Sequence, residues 1–188
     1  PASLHIALSA ILMVGHHEVI FAGLLAMDHI ITKSVILERL QHEYECFHTC
    51  LVHLTPEQLD VAGTIRDWSV KDLIAHLIAH EQRALNELRL AIRGERLLID
   101  HDAGDTFNAG AVAATRPYPI EAVFQTWQRS FEEVVAEVMA LSDEYFDASH
   151  PITTVLDDTI DGALSNNTYA HYREHIPDVE LAIQHFRA

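Results

Sequence analysis

Residues 69–92, SVKDLIAHLIAHEQRALNELRLAI, decide the fold. Val70, Leu73, Ile74, Leu77, Leu85, Leu88 and Ile92 recur mostly at steps of three and four, the spacing that lays apolar side chains along one face of an α-helix. Ser69 can accept a hydrogen bond from the backbone N–H three residues on, while Asp72 can reach back to the N–H of Ser69, the reciprocal pair that starts a helix. Gly94 ends the run. A helix this long with one apolar stripe must bury the stripe against other helices.

Upstream, Leu37, Leu40, Tyr44, Phe47, Leu51 and Leu54 keep the same rhythm and predict a helix over about 32–54. Thr55-Pro56-Glu57 predicts a short turn-like segment, and Gly63 loosens the approach to Trp68. Downstream, Pro119 suits the first turn of a helix that Ile120, Val123, Phe124, Trp127, Phe131, Val134, Val135 and Val138 carry to about Ser142. A last helix is expected from about Ile160 or Asn166 to Phe186. Pro177 within it lacks the N–H that would bond the carbonyl of Arg173, which predicts a bend just after His175. Residues 94–118 read as a long connection with one helical turn around 108–115. Residues 143–160 read as irregular, with Thr153-Thr154-Val155 admitting a short strand. The expected fold class is all-α, a four-helix bundle with long connections.

The first 26 residues, PASLHIALSAILMVGHHEVIFAGLLA, are apolar but broken by Gly15, His16, His17 and Glu18. A membrane span needs about 20 predominantly apolar residues, and a secretory signal needs a basic start. Residues 1–26 are therefore expected to form an extra apolar helix docked on the bundle or on a partner chain, ahead of a bundle domain over 27–188 that opens at Met27. No membrane span is expected.

The chain of 188 residues carries 12 Lys and Arg against 28 Asp and Glu, a formal charge of -16, with no basic run. On that balance nucleic acid is not an expected partner. At 49% hydrophobic and 21% charged residues the composition is that of a globular protein. Cys46 and Cys50 lie one helical turn apart and cannot staple distant segments, which fits a reducing cytoplasm. The compositional excess is 14 histidines.

Imidazole is the commonest metal ligand. His171 and His175 stand at i and i+4 on the last predicted helix, and His76 and His80 at i and i+4 on the 69–92 helix. Facing helices of a bundle build metal sites from such inward side chains, and two imidazoles alone hold an ion poorly. Periodicity by itself does not choose between His76 and His80. His5, His16, His17, His29, His101, His150 and His185 read as ordinary solvated or hydrogen-bonded side chains. His42, Cys46 and His53 share a face opposite the Leu40, Tyr44, Leu51 stripe and read as surface or as covered by the amino-terminal extension. A di-iron centre would want two Glu-x-x-His motifs and two more Glu; Glu45-Cys46-Phe47-His48 is one, and the option is set aside.

DWSVKDLIAHLIAHE at 67–81 and NTYAHYREHIPDVE at 167–180 together resemble the DinB-like superfamily, in its uncharacterised branch related to the maleylpyruvate isomerase-like and thiol S-transferase bundles. The resemblance extends over about 28–187 and takes in TFNAGAVAATRPYP at 106–119 and QTWQRSFEEVVAEVMALSDE at 125–144. It implies a DinB/YfiT-like four-helix bundle. The family pattern places a His after W-S-V-K-D-L-x-A and an H-x-x-x-H pair on the last helix, which matches His76, His171 and His175. Members often have Trp where this chain has His80, so a more polar pocket is expected here.

What the resemblance implies is a divalent ion, Zn²⁺, Ni²⁺ or similar, on His76, His171 and His175, with open positions that activate water or a low-molecular-weight thiol against a small electrophilic substrate. His80, Tyr172, Asn108 and Arg116 are the expected substrate-binding residues. Superfamily members include thiol-dependent isomerases, S-transferases and a hydrolase of a reactive cyclopropane, alongside members without known activity. The alternative expectation is a non-catalytic small-ligand binding or stress-protection protein with a structural metal. A homodimer is expected from the resemblance and from the apolar extension.

Overall fold

Thr32 starts the first helix: its hydroxyl accepts from the N–H of Val35, satisfying one of the donors that a helix N-terminus leaves open. The structure, a computed structural model, describes residues 31–98 and 104–187. The expected apolar helix over 1–26 lies outside the described residues, as does His101.

Helix α1 (Lys33–Leu51) buries Ile36, Leu40, Phe47 and Leu51, and Glu43 among them. α2 (Pro56–Leu59) is one turn, started by a capping box of Thr55 and Gln58. A tight turn follows, in which Ile65 and Trp68 exchange both backbone hydrogen bonds at 2.9 Å while Arg66 takes a left-handed φ of 54°. α3 (Val70–Ile92) opens on the Ser69–Asp72 capping box read from the sequence. α4 (Gly104–Thr115) and α5 (Ile120–Ala140) follow, with Pro119 at the residue before α5. A 3₁₀ turn at Asp143–Phe146 leads to α6 (Ile152–Leu156), α7 (Ile160–Ser165) and α8 (Tyr169–Arg187).

Three expectations change. The connection after Gly94 contains twelve residues of helix rather than one turn. α4 rests on α3 with Val112 as its one buried residue, so its Ala- and Gly-rich sequence needs no long apolar stripe. The Thr153-Thr154-Val155 run is helical, closed by Asp157 in the left-handed region at φ 60°, and no strand exists among the described residues. The last helical region is two helices, because Asn166 to Thr168 interrupt it. Pro177 is accommodated inside α8.

The long helices contact one another as α3 with α5, α5 with α1, α1 with α8 and α8 with α3. Phe47, Leu51, Leu73, Ile74, Leu77, Val123, Trp127, Tyr172, Val179 and Ala182 fill the space between them. Burying a Leu, Ile or Phe side chain is worth about 1.5–3 kcal/mol, so this layer supplies much of the driving force for the fold. The architecture is all-α. No helix among the described residues is long and apolar enough to cross a membrane.

Candidate metal centre

α3 projects His76 and His80 from one flank, one turn apart, and α8 projects His171 and His175 in the same way. The two helices turn these flanks towards each other. Nε2 of His76 lies 2.7 Å from Nε2 of His171. The His80 ring stacks on that of His171 with centroids 4.4 Å apart, and the His175 ring stands edge-on at 4.8 Å from His171 and 5.3 Å from His76. Donor atoms of His76, His80 and His171 all lie within 4.8 Å of one another.

Each of the four rings has an oxygen beside Nδ1. Oδ1 of Asn108 on α4 is 3.0 Å from Nδ1 of His76, and Oδ1 of Asn167 is 3.0 Å from Nδ1 of His80. Oδ2 of Asp178 is 2.8 Å from Nδ1 of His175, and Oε2 of Glu174 is 3.5 Å from Nδ1 of His171. An acceptor at Nδ1 holds the ring proton there and leaves Nε2 with a bare lone pair, the form that ligates metals. His80 differs from the others in that its Nε2 also borders an oxygen, Oδ1 of Asn108 at 3.4 Å.

Burial disfavours the charged form of three of these rings, His76, His80 and His171. It pushes the His76 imidazole down to about 4, aided by His80 and His175, and His171 down to about 3, aided by His80, His76 and His175. His80 is lowered too, again by burial first. Two neutral rings meeting Nε2 to Nε2 at 2.7 Å share one ring proton as N–H···N, and a metal ion takes that proton's place when both Nε2 atoms ligate it. Zn–N bonds of about 2.0–2.1 Å at a tetrahedral angle place ligand nitrogens about 3.3 Å apart, so small side-chain rotations open the pair to fit an ion. The donor set suits a divalent transition metal.

A cavity of about 270 Å³ adjoins the cluster, lined by Ile65, Arg66, Asp67, Trp68, Leu73, His175 and Asp178. The Trp68 ring also packs on His76, with centroids 5.3 Å apart. Trp68 therefore borders both the cavity and the cluster.

The residues expected to touch substrate fall in different places. His80 and Asn108 stand in the cluster. Arg116 points to the N-terminus of α3, where it bonds both carboxylate oxygens of the buried Asp72 at 3.2 and 3.1 Å, and its own side chain is exposed. Tyr172 is fully buried on the core side of α8, its hydroxyl donating to Oε1 of Glu81 and accepting from Nε1 of Trp127 at 3.0 Å. Asn167, Asp178 and Glu81 are missed by sequence reasoning. Glu81 had a visible signal: it sits four residues from both Leu77 and Leu85, inside the apolar stripe, and burial pushes its carboxyl up to about 8.

No curated protein matches the chain in sequence. Solved structures share its fold. The colibactin self-resistance protein ClbS, crystallised in complex with a dsDNA, aligns at TM-score 0.69 and 12% identity over 79% of this chain and 93% of its own. An uncharacterised protein from Escherichia coli UTI89 aligns at TM-score 0.71 and 13% identity over 83% of this chain and 95% of its own. The first corrects the expectation that excludes nucleic acid: a protein of this fold has been solved with dsDNA bound. A net charge is a sum over the whole chain, whereas phosphate contacts are made locally, so -16 is no ground for exclusion. The sequence family described as the mycothiol maleylpyruvate isomerase N-terminal domain matches residues 40–159, well over half of the chain. The chain belongs to that family, within the DinB-like superfamily.

Proposed function

We propose that the chain is a metal-dependent enzyme that sets water or a low-molecular-weight thiol against a small electrophilic substrate, as a hydrolase or S-transferase. The observation that carries this reading is the convergence of four imidazoles on one cleft, three of them with an oxygen within hydrogen-bond distance of Nδ1, which turns Nε2 of His76 and His175 to the ligating role. Membership of a family named for a thiol-dependent isomerase supports the thiol.

His76, His171 and His175 would hold the ion, Zn²⁺, Ni²⁺ or similar. His175 is preferred to His80 as third ligand because a carboxylate, Asp178, backs its Nδ1, whereas the Nε2 of His80 already borders Asn108. His80 then stands beside the ion as a substrate contact. When bound, such an ion supplies Lewis acidity and lowers the pKa of the water or thiol that reaches it. The chain's own residues orient the rings through Asn108, Asn167 and Asp178, and admit small molecules past Trp68 and Ile65. Cys46 and Cys50, both free, suit a cytoplasmic setting.

The test is to purify the protein without a histidine-affinity step, reconstitute it with Zn²⁺ or Ni²⁺, and measure bound metal in wild type and His171→Ala. About one equivalent in wild type alone is expected; under about a tenth in both after reconstitution overturns the reading. A panel of thiols and electrophiles should then show metal-dependent turnover lost in His76→Ala. Metal binding with thermal stabilisation but no turnover assigns the ion a structural role instead.

A further inference from the structure

α3 and α8 meet twice at the same level. The outer meeting joins His76 and His80 to His171. The inner one joins Glu81 to Tyr172, each the next residue along its helix from one of those histidines. One residue advances a helix by about 1.5 Å and turns it by about 100°, so the imidazoles face α4 while the carboxyl and the phenol face the core. Glu81 is 1% exposed and Tyr172 0%.

This inner chain has one fixed end. An indole N–H can only donate, so the Tyr172 oxygen accepts from Trp127, and the same hydroxyl bonds Oε1 of Glu81. The chain thus runs from α5 through α8 to α3. It is an expensive way to fill a core position, because Oε2 of Glu81 has no hydrogen-bond partner among the described residues, and a buried oxygen left so keeps its full desolvation penalty. A leucine would continue the stripe of Leu77, Leu85 and Leu88 without that cost. What a directed bond offers and an apolar contact lacks is a preferred register between two helices, the best-attested use of buried polar groups.

We infer that Glu81 and Tyr172 are positioning residues for the histidine cluster: their buried bond sets the rotation and spacing of α3 against α8, and through these the approach of His76 to His171. For its consequence on metal binding, the inference rests on the reading of the cluster as a metal site.

The test uses the full chain and three variants: Tyr172→Phe, which keeps the ring and its packing, Glu81→Gln, which still accepts from Tyr172, and Glu81→Leu, which does not. In metal-free protein, ¹⁵N NMR of labelled histidines reads the Nε2 of His76, which neighbours neither substituted residue in sequence. Co²⁺ affinity is measured by chelator competition, and unfolding by thermal midpoint. The expected result is a displaced His76 Nε2 resonance and a 10- to 100-fold weaker Co²⁺ site in Tyr172→Phe and Glu81→Leu, the loss typical of disturbing the groups that orient metal ligands. Glu81→Gln should stay near wild type in both, and Glu81→Leu should melt no lower than wild type. An unmoved His76 resonance in Tyr172→Phe overturns the inference, as does an affinity loss that follows the thermal midpoint across all three variants. Should wild type bind no Co²⁺, the metal reading falls, and the His76 resonance still decides the positioning role.

Discussion

His76 and His171, 95 residues apart in the chain, meet Nε2 to Nε2 at 2.7 Å. Neither helix produces this contact by itself. It needs α3 and α8 at one rotation and one level, and it makes these two rings the pair on which any ion at the cluster depends. Removing either should abolish stoichiometric metal binding. His175→Ala should lower occupancy after dialysis far more than His80→Ala, because the carboxylate of Asp178 orients the ring of His175. Elemental analysis of the dialysed variants checks the order, and the reverse order would move the third ligand to His80.

Asn108 reaches the cluster from α4, with its oxygen on Nδ1 of His76 and near Nε2 of His80. Asn108→Ala frees the His76 ring to turn and to change tautomer. A loss of about 10- to 100-fold in metal affinity is expected, without loss of the fold. Isothermal titration with Zn²⁺ measures it, and wild-type affinity would remove Asn108 from the site.

The metal-free protein should be most stable between two pH limits. His76 and His171 have folded values of about 4 and about 3, against about 6.5 when unfolded. Below pH 6.5 the unfolded chain takes up protons that the folded one refuses, so this stability is complete above 6.5 and is lost as pH falls through 4 towards 3. Glu81 acts in the opposite sense. Its carboxyl is raised to about 8 from an ordinary 4.5, so the folded chain keeps a proton that the unfolded one has released, and stability declines as pH rises from 4.5 to 8. Urea unfolding in chelator at several pH values should show both limbs. Glu81→Gln should flatten the alkaline limb alone.

Arg116 is expected to matter little to the site. Its guanidinium is exposed and bonds Asp72, which also accepts from the N–H of Ser69 at the start of α3. Arg116→Ala should cost little stability, because its guanidinium is solvated, and leave metal affinity unchanged. Ser69→Ala, which removes the hydroxyl that caps α3, should cost about 1 kcal/mol. Denaturant titration compares the two, and altered metal binding in Arg116→Ala would return that residue to the pocket.

Legibility in the sequence followed the range of the interaction. The Ser69–Asp72 box and the helix it starts were readable because their partners lie three residues apart. α4 was underestimated because a helix that buries only Val112 carries almost no periodic signal. Tyr172, an expected substrate-binding residue, follows His171 directly, and one residue along a helix turns the side chain by about 100°, which carries it into the core.

Helix starts, apolar faces and the two i,i+4 histidine pairs are properties of the sequence alone, because each depends on atoms within a few residues and on the 3.6-residue turn. The tertiary structure alone decided that four imidazoles share one cleft, that oxygens of Asn108, Asn167 and Asp178 stand beside Nδ1 of three of them, and that Glu81 and Tyr172 close the core behind them. The contacts between helices join groups tens of residues apart, and their geometry is set by how whole helix faces settle against each other, which no local spacing encodes.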